Sequence, residues 1–211
     1  GPGEPGGSVR WIEADPMIPG RMYAAIAGAG VLRTHDYGLA WDDRHRSSLD
    51  DPHTLACHQF APGRIYAAGA DGYAESRDGG DTWRRDDVGL KHPYLYALAI
   101  DPGDPETLIV SAARSRRRAH APLIAAATVY RKSGKLAWRE TRDGLPGPAA
   151  QRIYGLAANE HEPGVFYLAT QRGELYRSPD AGLSWRKQEL KLDARLRLGG
   201  GQPPALALSG E

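Results

Sequence analysis

The chain has 211 residues and a formal net charge of +1, with 26 glycines, 16 prolines and one cysteine. This length suffices for one large domain with a sizeable core, and the balanced charge favours no class of partner. The lone Cys57 excludes an intrachain disulfide and a cysteine-based zinc site, and its apolar neighbours predict a buried small residue. No apolar run could span a membrane and no secretory signal is visible, which favours a cytoplasmic location.

Four similar copies follow one another along the chain. Asp15, His58, Asp101 and Asn159 occupy equivalent places, with spacings of 43, 43 and 58 residues. Eight residues after each comes a tyrosine, except in the third copy, where Ile109 stands. A period of this size is typical of units that stack to bury a shared core. We place the repeats at about 8–50, 51–92, 93–150 and 151–192, and we interpret 193–211 as the start of a fifth repeat or a closing strand.

Each copy predicts four short strands. The first is apolar, as in "YALAI", and ends at a proline-rich turn, because proline lacks an N–H and fixes φ. A second strand such as "MYAAIAG" follows, then a glycine-containing turn, a third strand such as "GELYRS", and a fourth that begins at a tryptophan. Four-stranded units of about 40 to 45 residues, repeated around an axis, predict an all-β propeller.

An octet ending in tryptophan joins the third strand to the fourth in three copies: "THDYGLAW", "SRDGGDTW" and "SPDAGLSW". Turn chemistry predicts that its Asp accepts backbone N–H bonds and that its Gly has a positive φ. It also predicts that the hydroxyl satisfies a backbone group across the hairpin and that the Trp packs between sheets. These structural residues are Thr34, Asp36, Gly38, Trp41, Ser76, Asp78, Gly80, Trp83, Ser178, Asp180, Gly182 and Trp185.

The octet resembles the Asp-box, or BNR repeat, of the sialidase-type β-propeller superfamily, and the match covers nearly the whole chain in register. That superfamily includes sialidases, xyloglucan-cleaving glycosidases, sortilin-type receptors and photosystem II assembly factors. The resemblance implies that the Asp-box lies on the hairpin between the third and fourth strands of a blade, away from the functional face. The third copy departs from the motif, because "RKSGKLAW" has Ser133 for the Asp and Lys135 for the Gly and keeps only Trp138.

No catalytic residue is predicted. The "GRIYAAG" and "QRIYGLA" segments do not match the early signature of sialidases, and we expect Arg64 and Arg152 to cap or flank strands. Glycosidases need two facing carboxylates, and nothing in the sequence pairs any two of the candidates outside the octets, which are Glu13, Glu75, Glu160, Glu162 and Glu174. The histidines form no metal-binding pattern and no phosphate-binding loop appears, so we expect neither a metal nor a cofactor.

A basic insertion interrupts the third copy between "LIVSAA" and "TVYRKSG", where Arg114, Arg116, Arg117 and Arg118 form a positive cluster. It is either a solvated loop or a contact surface for an acidic protein or a phosphate-bearing ligand. Interleaved aromatics are missing, so nucleic acid is not an expected partner. We expect a non-catalytic propeller scaffold that presents loops to a protein or other partner. The alternative is a sialidase-like glycoside hydrolase or glycan-binding module.

The sequence leaves ring closure open. Three alternatives compete: the chain is part of a longer propeller, it lends its last strand to another blade as a clasp, or it pairs with a second copy. An open stack of sheets would leave exposed edges, which proteins avoid. We favour the first, because "GPGEPGG" looks like the connection that precedes a first strand.

Overall fold

The computed structural model describes residues 7–43, 49–121, 125–147 and 152–189. Its strands form four antiparallel sheets, which we call blades 1 to 4. Blade 1 consists of β1 Val9–Ala14, β2 Met22–Ile26, β3 Gly30–Thr34 and β4 Asp42–Asp43, and blade 2 of β5 Pro52–Cys57, β6 Ile65–Gly69, β7 Gly72–Ser76 and β8 Arg84–Arg85. Blade 3 consists of β9 Tyr94–Asp101, β10 Asp104–Ala113, β11 Thr128–Ser133 and β12 Arg139–Thr141, and blade 4 of β13 Ile153–Ala158, β14 Phe166–Thr170, β15 Leu175–Ser178 and β16 Arg186–Gln188. A short helix, α1, spans Arg116–His120 inside blade 3's insertion.

Strands that are consecutive in sequence are neighbours in every blade. The first strands of successive blades contact one another, β1 with β5, β5 with β9, and β9 with β13. The first strands therefore line a common axis, and the short fourth strands form the outer edge. Among the described residues, no helix is long and apolar enough to cross a membrane.

The core lies between successive blades. Blade 1 places Tyr23 and Val31 against blade 2, blade 2 places Tyr66 and Tyr73 against blade 3, and blade 3 places Ile109 and Val129 against blade 4. Both middle strands of blade 2 are buried throughout, because blades cover both of its faces. In β14 and β15 of blade 4, buried and half-exposed residues alternate, because the described residues cover only one face of that sheet.

The octets form closed turns. Ser76 Oγ donates to Asp78 Oδ1 over 2.8 Å and accepts from the Gly80 N–H over 2.8 Å. The Thr82 N–H donates to Asp78 Oδ1 over 2.9 Å, and bonds from the side chain and backbone of Thr82 lower the pKa of Asp78 to about 2. The same bonds recur around Asp36 and Asp180. The hydroxyl is thus used within the octet, which differs from the expected bond across the hairpin.

The fourth residue of each octet has a left-handed backbone. Tyr37 and Ala181 have φ values of 61° and 58°, and Gly79 and Gly134 occupy the same place with 76° and 59°. In three copies the N–H of this residue donates to a glycine carbonyl in the turn between the first and second strands, and in blade 3 it donates to the Glu106 carbonyl near the start of β10. That bond fixes the left-handed conformation, which side chains adopt at a cost of about 1–2 kcal/mol. The fifth residue is also left-handed where it is glycine, as in Gly80 at 93°.

The octet tryptophans are buried to different degrees. Trp138 and Trp185 are each 2 % exposed, and each packs against the preceding blade. Trp83 is half-buried against blade 1. Trp41 is 38 % exposed, because no described blade precedes blade 1.

Candidate binding site at the channel mouth

A β-bulge marks the start of every first strand. The pairing of β1 with β2 skips Arg10, that of β5 with β6 skips His53, and that of β9 with β10 skips Tyr96. The pairing of β13 with β14 skips Tyr154 in the same way. A bulge bends its strand and re-aims a side chain, and bulges concentrate beside functional sites. Arg10, His53 and Tyr96 line one cavity at this end of the axis, which we call the channel mouth.

His53 is held in one orientation. Its Nδ1 donates to the Leu95 carbonyl over 2.6 Å, and its ring centroid lies 4.9 Å from that of Tyr94. Its Nε2 lies 3.6 Å from Asp51 Oδ2, beyond hydrogen-bond distance, and has no hydrogen-bond partner among the described residues. The ring is only 6 % exposed, so Nε2 is a buried polar atom without a hydrogen bond.

The insertion folds back onto the channel mouth. Ser115 caps α1 by accepting from the Arg118 N–H, and Ala119 is buried against Tyr94. His120, at the end of α1, lies 2.9 Å from the Tyr94 hydroxyl through Nε2. Its ring meets the rings of Tyr94 and Tyr96 edge-on, with centroid distances of 5.6 and 5.1 Å. The loop that breaks the repeat therefore packs against Tyr94 and Tyr96 beside the mouth.

Positive charge collects around these aromatic rings. The Arg152 guanidinium lies 5.8 Å from the centre of the Tyr96 ring. Burial, followed by the nearby charges of Arg152, His53, Arg116 and Arg10, lowers the pKa of His120. Arg10 in turn lies 3.8 Å from the Asp51 carboxylate. An anionic group at the mouth would meet several cationic donors above aromatic faces.

The four predicted arginines are all exposed and the structure divides them. Arg116 lies near the mouth: burial raises the pKa of Tyr94 and the Arg116 charge partly opposes that rise, while burial and the charges of Arg116 and its neighbours lower the pKa of His120. Arg114 instead acts on His92, which bonds to Tyr130 on the far side of blade 3. The sequence did not point to the other residues of the mouth, which are Arg10, His53, Tyr94, Tyr96, His120 and Arg152. A signal was present, since the bulged residues stand five places before Asp15, His58, Asp101 and Asn159.

A second cavity of about 660 Å³ lies at the other end of the first strands. Trp11 is 43 % exposed beside it and donates through Nε1 to Glu13 Oε2 over 3.1 Å. The Cys57 N–H donates to Glu13 Oε1 over 3.1 Å, and burial raises the pKa of Glu13. Glu160 also lines the cavity. Cys57 is half-buried rather than buried, and burial raises the pKa of its thiol.

The remaining candidate carboxylates are spread over the blades as ion-pair partners. Glu75 pairs over 2.7 Å with Arg64 of the same blade, Glu162 pairs with Arg177, and Glu174 pairs with Lys187. The structure therefore brings only Glu13 and Glu160 to one cavity. In the part of the chain that is described, no three His, Cys, Asp or Glu side chains gather as a metal site requires.

Comparison with known proteins bears on the fold. No protein-family model and no curated protein sequence matches the chain. An ancestral GH74 enzyme superposes on 90 % of this chain with a TM-score of 0.72 and 19 % sequence identity. The GH74 xyloglucanase from Xanthomonas campestris superposes on 86 % of this chain with a TM-score of 0.69 and 19 % sequence identity. YCF48, solved bound to a D1 peptide, superposes on 85 % of this chain with a TM-score of 0.54 and 12 % sequence identity. The chain has the β-propeller fold of these structures.

The alignment spans 25 % of the ancestral enzyme, 30 % of the xyloglucanase and 52 % of YCF48. The chain thus covers a quarter to about half of the structures that it resembles. At 12–19 % identity the likeness concerns the fold, because one fold hosts many functions.

Proposed function

We propose that the chain is a non-catalytic propeller scaffold whose channel mouth binds an acidic segment of a protein partner. The observation that carries the proposal is the meeting of Arg10, His53 and Tyr96 in one cavity, with the Arg152 guanidinium 5.8 Å and the His120 ring 5.1 Å from the centre of the Tyr96 ring. A carboxylate bound among them would gain charge-assisted hydrogen bonds in a partly desolvated site.

Two further features support a peptide rather than a small ion. The mouth carries Tyr94, Tyr96 and His120 rings packed edge to face, which offer aromatic surface to side chains next to the acidic ones. YCF48, which shares this fold, binds a peptide. The exposed α1 arginines extend the positive surface beyond the mouth and would steer an acidic segment toward it.

A fluorescein-labelled oligoglutamate peptide, followed by anisotropy, tests the proposal. Arg152→Ala and His120→Ala should each weaken binding about tenfold, which corresponds to the loss of about 1.4 kcal/mol. Affinity should fall as salt is raised, because the contacts are ionic. Arg139→Ala is the matched control, since Arg139 is an exposed arginine of β12 at the outer edge of blade 3.

Two results would contradict the proposal. One is an affinity that Arg139→Ala lowers as much as Arg152→Ala does, because binding would then follow net charge alone. The other is that the oligoglutamate peptide fails to bind the wild-type chain at low salt.

The alternative function is that of a glycoside hydrolase or glycan-binding module. Trp11 favours it, because an exposed indole beside the 660 Å³ cavity is a surface on which a sugar ring can stack. Glu13 lies next to it with a raised pKa, as a general acid requires. Soluble xyloglucan would then quench tryptophan fluorescence in the wild type but not in Trp11→Ala, and reducing ends would appear only if Glu13 is catalytic.

A further inference from the structure

Blade 1 grips the octet of blade 2 through a pair of side chains. Tyr23 on β2 and Arg33 on β3 are directly paired across the two strands. The Tyr23 hydroxyl and the Arg33 guanidinium both donate to the carbonyl of Gly79, the left-handed fourth residue of the octet. Arg33 also lies 3.0 Å from Asp81, the sixth residue of that octet. We call this arrangement the clasp.

The clasp recurs between blades 3 and 4. Arg131 on β11 stands at the place of Arg33 and donates to the carbonyl of Ala181 over 2.6 Å. Its strand partner Ile109 stands at the place of Tyr23, and its side chain lies against Gly182. In both interfaces the second and third strands of one blade hold the octet of the following blade.

Blade 4 carries an equivalent Tyr–Arg pair on the face that points away from blade 3. Tyr167 on β14 and Arg177 on β15 are paired as Tyr23 and Arg33 are. Both side chains are half-exposed, and Arg177 bonds over 2.9 Å to Glu162, whose side chain is 55 % exposed. A surface ion pair of this kind is weak and is readily exchanged for a better partner.

Blade 1 offers the matching octet. Tyr37, its fourth residue, has the left-handed backbone of Gly79 and Ala181, and Leu39, its sixth residue, is 89 % exposed. The sheet behind it is apolar and open, with Ile12 60 % and Trp41 38 % exposed. Leu55 of blade 2 is equivalent to Ile12, and its contact with blade 1 leaves it only 1 % exposed.

We propose that the open face of blade 4 binds the octet and apolar face of blade 1 from a second copy of this chain. Arg177 and Tyr167 would donate to the Tyr37 carbonyl of the second copy and repeat the clasp, while Ile12 and Trp41 become covered. Two four-blade arcs joined at both ends would form an eight-blade ring, within the range known for propellers. This surface is distinct from the channel mouth.

Sedimentation equilibrium of the 211-residue chain tests the pairing. We expect a species of twice the 22.9 kDa mass of one chain. The double variant Tyr167→Phe with Arg177→Ala should raise the dissociation constant at least tenfold. Arg172→Ala is the control, because Arg172 is an exposed arginine at the tip of the β14–β15 turn. Far-UV circular dichroism checks that each variant is folded.

A second variant tests the register of the contact. Leu39→Asp creates the counterpart of the Arg33–Asp81 pair, so Arg177→Ala should weaken association more in chains with Leu39→Asp than in chains with Leu39. A single-chain mass at all concentrations would overturn the proposal, and so would equal effects of Arg177→Ala and Arg172→Ala. A single chain in which Arg177 is protected from modification would show that a segment of the same chain covers the face, and this too would overturn it.

Discussion

Trp138 and Trp185 offer a matched test of how the octet tryptophans stabilise the blades. Both end an octet and both are 2 % exposed. The Trp138 Nε1 donates to the Asp86 carbonyl over 2.7 Å, and the Trp138 ring meets the Tyr73 ring edge-on at 5.1 Å. The Trp185 Nε1 is buried and has no hydrogen-bond partner among the described residues. The two tryptophans therefore have the same burial but different hydrogen bonding.

Substitution of each by Phe removes a similar volume of ring, so the loss from packing is similar. Trp138→Phe in addition loses a hydrogen bond, a net loss of about 1 kcal/mol, and leaves the Asp86 carbonyl unpaired. Trp185→Phe removes a buried N–H that was unpaired, which offsets part of its packing loss by about 1 kcal/mol or more. We therefore expect Trp138→Phe to lower the free energy of unfolding by about 2 kcal/mol more than Trp185→Phe.

For a chain of this size, that difference corresponds to about 4 to 8 °C in Tm. Differential scanning calorimetry, or far-UV circular dichroism during urea unfolding, measures it without relying on tryptophan fluorescence. If Trp185→Phe lowers Tm as much as Trp138→Phe or more, the hydrogen bond to Asp86 is not what separates them and the reasoning is wrong.

Three other outcomes follow from local geometry. Gly89→Ala should destabilise the chain by about 2 kcal/mol or more in chemical denaturation, because φ is 96° and a Cβ there would lie 2.2 Å from the Trp138 carbonyl oxygen. Asp180→Ala removes the acceptor of three hydrogen bonds in its own turn and should lower stability by about 1 kcal/mol, whereas Asp180→Asn should lower it less. Burial lowers the pKa of His92 and His120, so unfolded chains take up protons first, and Tm should fall as pH drops below about 6.5; His92→Gln with His120→Gln should flatten that profile.

The repeat made the fold predictable from the sequence. Offsets between Asp15, His58, Asp101 and Asn159 placed each first strand, and the octets placed each turn into a fourth strand. Such periodic signals are read from many positions at once, so a departure in one copy does not obscure them. The predicted four-stranded blades are confirmed by the sheet order and by the neighbouring folds.

The channel mouth was not predictable to the same degree. The bulges at Arg10, His53 and Tyr96 depend on a pairing register, and register follows from tertiary packing that a single sequence does not state. His120 belongs to an insertion without a counterpart in the other copies, so no repeat could place it over Tyr94. The basic cluster was recognised by composition, but only the fold shows that Arg116 lies near His120 and Arg114 near His92.

Blade 3 shows why an octet can lose its motif and the blade still fold. Gly134 keeps the left-handed backbone, with φ of 59°, and its N–H donates to the Glu106 carbonyl as in the intact octets. Other contacts join blade 3 to blade 2. Arg64 binds Glu106 across the interface, and the Tyr66 hydroxyl donates to the Pro105 carbonyl over 2.8 Å.

The altered octet of blade 3 separates two functions of the octet that coincide in the other copies. The hydroxyl and carboxylate close the turn, and the left-handed fourth residue presents its carbonyl to the preceding blade. Blade 2 has Glu75 at the place of Arg33 and Arg131, so it has no guanidinium there to donate to that carbonyl. The interface between blades 2 and 3 therefore lacks both the clasp and the intact octet. This is expected if an octet keeps its motif partly because the preceding blade binds it.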